Sequence, residues 1–202
     1  MKVIGIVGGI ASGKSLVTES LRELGACVLD ADRIGHEVLR EGEVRTAVRN
    51  RWGDAVFDAD GEVDRRAVAR IVFTKSPAWK RELAFLAALV HPWFGQRLQE
   101  QIRELAEQGC PAVVLDAALM IKAGWDRYCD FVIFVDTPKE QRLERARTRG
   151  WSEEEFDARE DAQESLDRKR NRADLVIDNA GSPQRTVAQV QRLWDSHLNR
   201  SS

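Results

Sequence analysis

"GIVGGIASGKS", Gly5–Ser15, decides how the rest of the chain is read. An apolar run, KVIGIV at 2–7, leads into glycines at 8, 9 and 13, and the stretch ends on Lys14 and Ser15. Gly8-x4-Gly13-Lys14-Ser15 has the spacing of the phosphate-binding loop G-x-x-x-x-G-K-[ST]. Glycines let successive backbone N–H groups turn toward one anion. A helix predicted over 14–24 points its positive end at the same place. In this pattern the lysine reaches the β- and γ-phosphates and the hydroxyl serves Mg²⁺. The chain is therefore expected to hold a nucleoside triphosphate through Gly9, Ala11, Ser12, Gly13, Lys14, Ser15 and the backbone of Leu16, with Mg²⁺ on Ser15. The loop alone leaves open whether the phosphate is hydrolysed, read as a switch or transferred.

Outward from the loop, five short apolar runs read as strands: KVIGIV (2–7), CVLD (27–30), AVVLD (112–116), FVIFVD (131–136) and LVID (175–178). They are continuous rather than alternating, as strands buried on both faces of a parallel sheet are. Helices are predicted at 14–24, 138–149 and 182–198, so strand and helix alternate and the class is α/β. Residues 33 to 110 break the alternation. They carry almost no strand signal, and 63–73 and 77–109 read as helices, which points to a helical insertion between the second and third strands. Residues 145–172 are the most highly charged stretch and read as a solvated helical hairpin or an arginine-rich lid.

The 202 residues fit one domain with an inserted lobe. With 31 basic and 33 acidic residues the net charge is -2, which gives no electrostatic case for nucleic acid. The N-terminal apolar run is short and broken by glycine, neither a signal peptide nor a membrane span. A cytoplasmic protein, monomeric or weakly homo-oligomeric, with no membrane or nucleic-acid partner, is expected. Cys27, Cys110 and Cys129 are odd in number and far apart, and each lies beside an apolar run. They read as buried free thiols.

Carboxylates close the second and third strands. Asp30 and Asp32, in LDADRIGHEV, share one face if the strand continues, and both would then point into the cleft at the carboxyl edge of the sheet. There they suit Mg²⁺ binding or the orientation of an attacking hydroxyl, with helix capping as the plain alternative. Asp116 ends the third strand in a Walker-B-like position.

Taken together the motifs resemble the dephospho-CoA kinase family over nearly the whole chain. The family's G-G-I-x-S-G-K-S stands at Gly8–Ser15, its D-A-D at Asp30–Asp32, and D-G-x-[IV]-D-R within DGEVDRRAVARIVF (60–73). LAALVHP (86–92), RLERARTR (142–149) and ADLVIDNAG (173–181) match three more. The resemblance implies a P-loop NTPase three-layer sandwich with a five-stranded parallel sheet, an inserted helical substrate lobe and a helical lid. Its parts are a core over about 1–32, 110–140 and 173–202, an acceptor lobe over about 33–109 and a lid over about 141–172. It implies transfer of the γ-phosphoryl of ATP, with Mg²⁺, to the ribose 3′-hydroxyl of dephospho-CoA. Asp32 becomes the base, Lys14 and Arg145 the groups on the transferring phosphate, and Arg149, at i+4 from Arg145, shares its helix face. Asn179 and Gly181 fall near the adenine. Arg65, His91, at an expected helix break before Pro92, and Asp116 fall to the acceptor.

The chain departs from the family at Val7, where threonine is common, and at Leu16, where a second hydroxyl is usual. Glu41 stands for a proline. In DAALMIKAG (116–124), Ala118 stands for a proline and Lys122 for an acid, toward the acceptor side or on the surface. Another small-molecule or nucleoside monophosphate kinase on the same scaffold, and a catalytically impaired nucleotide-binding relative, remain as alternatives.

Overall fold

The structure, a computed structural model, describes residues 1–73, 78–117, 120–161 and 163–197. Five strands lie in chain order: β1 (Lys2–Gly8), β2 (Cys27–Asp30), β3 (Ala112–Asp116), β4 (Phe131–Asp136) and β5 (Leu175–Asp178). They form a wholly parallel sheet in the order β2-β3-β1-β4-β5. The five apolar runs of the sequence are these strands, and the α/β class stands.

Alternate strand residues feed two faces. Ile4, Ile6, Val114, Ile133, Val135 and Ile177 pack with Val17 and Leu21 of α1 (Lys14–Glu23). Val190, Leu193 and Trp194 of α10 (Pro183–His197) complete that layer. Their neighbours Val3, Val7, Val113, Leu115, Val132 and Phe134 are buried on the other face, so the central strands have no solvated side. The edge strands leave Val28 and Val176 exposed.

The remaining helices are α2 (Ala31–Val38), α3 (Gly42–Trp52), α4 (Arg65–Phe73), α5 (Trp79–Glu107), α6 (Met120–Ala123), α7 (Lys139–Arg147), α8 (Glu153–Asp161) and α9 (Leu166–Arg172). Residues 77 and 198, the predicted limits of α5 and α10, lie outside the described residues, as does Ala118. The chain divides into two compact units, 1–31 with 102–202, and 32–101. Among the described residues the second is helical apart from turns and one antiparallel bridge, Phe57 with Val63. Asp64 caps α4 there, its Oδ1 accepting from the Arg66 N–H at 2.8 Å. No helix among the described residues is long and apolar enough to cross a membrane.

Three local expectations fail. The second strand stops at Asp30 and Ala31 opens α2, so Asp32 sits in a first helical turn and shares no strand face with Asp30. The helix carrying His91 does not break at Pro92 but runs through it. Two of the cysteines are not free thiols: Cys27 and Cys110, 83 residues apart and half-exposed, are joined as a disulfide with their Cα atoms 6.2 Å apart. The pairing of β2 with β3 brings their beginnings together, and sequence distance hides it. Cys129 remains a free thiol, pushed up to about 12 by burial.

Candidate active site

Strand register assembles the site's edge. Ile6 of β1 and Asp30 of β2 both lie opposite Asp116 of β3, while Gly8 at the end of β1 lies opposite Val135 of β4. The glycine loop and two carboxylates thus leave the sheet side by side. Among the described residues no three His, Cys, Asp or Glu side chains converge to hold a metal by themselves.

The loop between β1 and α1 is shaped by where its carbonyls go. The Ser12 carbonyl accepts from Asn179 Nδ2 at 2.7 Å, Thr137 Oγ1 at 2.8 Å and Arg145 Nη1 at 3.3 Å. The Ile10 carbonyl accepts from Arg142 at 3.3 Å and the Gly8 carbonyl from Lys169 Nζ at 3.0 Å. The Gly9 and Gly13 carbonyls take the N–H groups of Ser12 and Leu16. Carbonyls pinned outward leave backbone N–H groups to face inward, the arrangement that binds an anion. Positive φ at Ala11 (56°) and Gly13 (92°) makes the turns. A Cβ on Gly13 would run into Asn179 Nδ2.

Asn179 is buried, and besides holding Ser12 it accepts from Thr186 Oγ1 at 2.7 Å. Its amide braces the loop rather than standing open toward a base. Gly181 follows two residues on, where a Cβ would lie 3.2 Å from Arg185. The N–H of Leu16 is engaged by Gly13 at 3.0 Å. The expected Arg145–Arg149 pair does not share a helix face: α7 ends at Arg147, Thr148 caps it, and Arg149 lies exposed beyond. Arg145 turns inward, its second nitrogen donating to the Asn179 carbonyl at 3.0 Å.

Besides Thr137, buried with its hydroxyl on the Ser12 carbonyl, sequence reasoning missed two residues. Arg142, 2% exposed, donates to Thr137 O and Ile10 O, pairs with Glu160 of α8 and lies over the Phe156 ring at 5.4 Å. It opens the quoted run RLERARTR, but only its burial distinguishes it from Arg145. Lys169 is the other, a cation inside a highly charged stretch with no motif to mark it.

A small cleft opens beside the loop, lined by Gly8, Lys14, Lys122, Glu164 and Lys169 over the apolar Met120 and Ile121. Lys122 is therefore not a surface substitution. Burial lowers its pKa, and the Glu164 charge works against that. Val7 also lines the cleft.

In the helical unit, Arg65 is exposed at the start of α4, and its charge, after burial, helps lower the pKa of His36. His91 is half-buried within α5. Glu41, the residue in place of proline, accepts from Arg97 Nη2 at 2.7 Å.

The dephospho-CoA kinase family profile matches residues 2–184. A dephospho-CoA kinase of Symbiobacterium thermophilum is 44% identical over 197 residues, 96% of this chain and 80% of the relative. One from Thermobifida fusca is 39% identical over 202 residues, 99% and 98% of the two chains. The crystal structure of a Thermus thermophilus protein superposes with a TM-score of 0.76 at 35% identity over 98% of both chains. The Campylobacter jejuni dephospho-CoA kinase does so at 0.64 and 26% identity, over 97% and 98%. The chain belongs to the dephospho-CoA kinase family.

Proposed function

We propose that this kinase transfers the γ-phosphoryl of ATP to the ribose 3′-hydroxyl of dephospho-CoA, giving coenzyme A and ADP. The observation that carries the reading is the loop itself, with its carbonyls tied outward and Lys14 leading from it into a lysine-lined cleft. Such a transfer needs positioned charge more than a strong base, because the transition state is loose and its charge spreads over the phosphoryl oxygens.

The roles follow from chemistry and from the family motifs. The N–H groups of Gly9–Ser15 other than that of Ser12 hold the phosphates, and Lys14 draws the terminal one toward the cleft. Ser15 and the phosphates supply hard oxygen donors, which suits Mg²⁺, an ion that seldom has an all-protein cage. When bound, that ion neutralises charge between the β- and γ-phosphates. Arg145 reaches the same loop from α7 and is the arginine closest in role to a charge clamp. Asp116 and Asp30 line the edge where the acceptor enters, while Arg65 and His91 serve the acceptor from the helical lobe, about 33–109. The lid, about 141–172, excludes water that would compete with the sugar hydroxyl. Asp32 orients that hydroxyl and accepts its proton late.

An ADP-release assay with MgATP and dephospho-CoA, adenosine, gluconate or no acceptor tests the reading. Release that depends on dephospho-CoA, with coenzyme A formed, is expected; dependence on another acceptor overturns it. Asp32→Asn should lower kcat by on the order of 10³ while leaving ATP affinity within about threefold.

A further inference from the structure

Lys169 is 4% exposed, an unusual place for a lysine, and among the described residues no carboxylate holds its ammonium. Nζ donates to the Gly8 carbonyl, the first residue of the glycine loop, at 3.0 Å, and to Gln163 Oε1 at 2.5 Å. Both acceptors are neutral, so the positive charge is left uncompensated by its direct partners. An ammonium has three donors, and these bonds use two. The side chain lines the cleft with Lys14 and Lys122. Three lysines meet Glu164 there, and Glu164 also pairs with Arg168. A buried cation set against other cations is costly unless an anion is to come.

We infer that Lys169 is a positioning residue of the phosphate site, turning the Gly8 carbonyl away from the nucleotide and adding a second ammonium beside Lys14 in the cleft that takes the terminal phosphate. The inference rests on the proposed phosphoryl transfer. Its surroundings fit the role. Burial first, then the charge of Lys14, brings Lys169 down to about 8, while Glu160 and Glu164 oppose the shift and Arg142 adds to it. A polyphosphate arriving in the cleft restores the ammonium, so nucleotide binding near that pH takes up protons.

The test compares Lys169→Met, which keeps the bulk and loses every donor, with Lys169→Arg. Lys169→Met is expected to lower kcat on the order of 100-fold, leave the KM for dephospho-CoA within about threefold, and be recovered at least tenfold by Lys169→Arg. Calorimetry at pH 8 in buffers of different ionisation enthalpy reads proton uptake on binding the magnesium complex of a non-hydrolysable ATP analogue. Wild type should take up protons and Lys169→Met should not. A kcat within about threefold of wild type, or an unchanged proton uptake, overturns the inference, as does an Arg variant as slow as Met when both melt like wild type. Should Lys169→Met fail to fold, Gln163→Leu removes only the brace. It should lower kcat about three- to tenfold at constant acceptor KM, and an unaltered kcat overturns the inference. Because the calorimetry needs no acceptor, an enzyme that takes up protons through Lys169 yet ignores dephospho-CoA would sink the proposed acceptor and not this inference.

Discussion

Each of the two units has an oxygen hub that gathers three donor side chains. In the nucleotide unit it is the Ser12 carbonyl, held by Asn179, Thr137 and Arg145. In the helical unit it is the Glu82 carboxylate, held by Arg51 through two bonds of 2.8 and 2.9 Å, Trp52 Nε1 at 2.9 Å and Arg81 at 3.0 Å. The first hub is neutral and belongs to the backbone, so it fixes the direction of a peptide and does not titrate. The second is charged and belongs to a side chain, so it ties α3 to α5 only while ionised. The direction of the Ser12 peptide is thus insulated from pH, whereas the organisation of the lobe is not.

The comparison breaks most sharply at Gly13. Its φ of 92° is costly for any L side chain, and a new Cβ would push Asn179 off the Ser12 carbonyl. Gly13→Ala should cut kcat/KM for ATP on the order of 10³, the scale of losing a preorganised donor set. Titration of the variant with an ATP analogue, beside its melting curve, separates a lost loop from a lost fold. Binding within about tenfold of wild type would mean that the Ser12 hub does not set the loop.

The two hubs also differ in how far the sequence discloses them. The loop was legible because its chemistry is local: glycine spacing, a strand before, a helix after. Its braces come from residues 137, 142, 145, 169 and 179, on elements the sheet order brings together, and only Arg145 and Asn179 were picked out, for other duties. The strands read well because burial on both faces leaves an unbroken Val/Ile signal. Asp32 was misplaced because Ala31, which opens the buried helical stripe Ala31–Ile34–Val38 of α2, directly follows the strand CVLD, so nothing in the residue types marks where β2 stops and α2 starts. The Glu82 hub was invisible. Its arginines at 51 and 81 look like any solvated charge in a sequence with 32% charged residues, and Trp52 looks like any core aromatic. The same blindness hid the Cys27–Cys110 link, which needs the β2–β3 pairing to be seen.

A milder change sharpens the comparison. Asn179→Ala leaves Ser12 with Thr137 and Arg145, and it strips the buried Thr186 hydroxyl of its acceptor. An unsatisfied buried group of this kind costs about 1–3 kcal/mol. The variant should melt earlier and bind the ATP analogue about tenfold more weakly, as expected when a hub loses one of three donors. If stability falls and nucleotide affinity stays at the wild-type value, Asn179 supports α10 and not the loop.

The smallest effect is expected at the charged hub, and it has a sign. The Arg51 guanidinium, then the Trp52 indole, hold the Glu82 carboxyl down at about 2 from an ordinary 4.5, against burial. In the unfolded chain the group protonates near 4.5; in the folded chain it waits until about 2. Between those values the unfolded state binds more protons, so stability rises with pH. The contribution is complete above 4.5 and is lost as pH falls toward 2. Glu82→Gln keeps the shape, cannot titrate, and should flatten the stability profile over that window while changing nothing at pH 7 beyond a uniform offset. Trp52 donates to Glu82 and stacks edge-on to Phe85 at 5.4 Å, so in a variant with the other five tryptophans replaced by phenylalanine its fluorescence reports on the hub. An acid titration should shift that signal before nucleotide binding fails. If both are lost at one pH, the neutral hub is no better insulated than the charged one, and the contrast between the two units collapses.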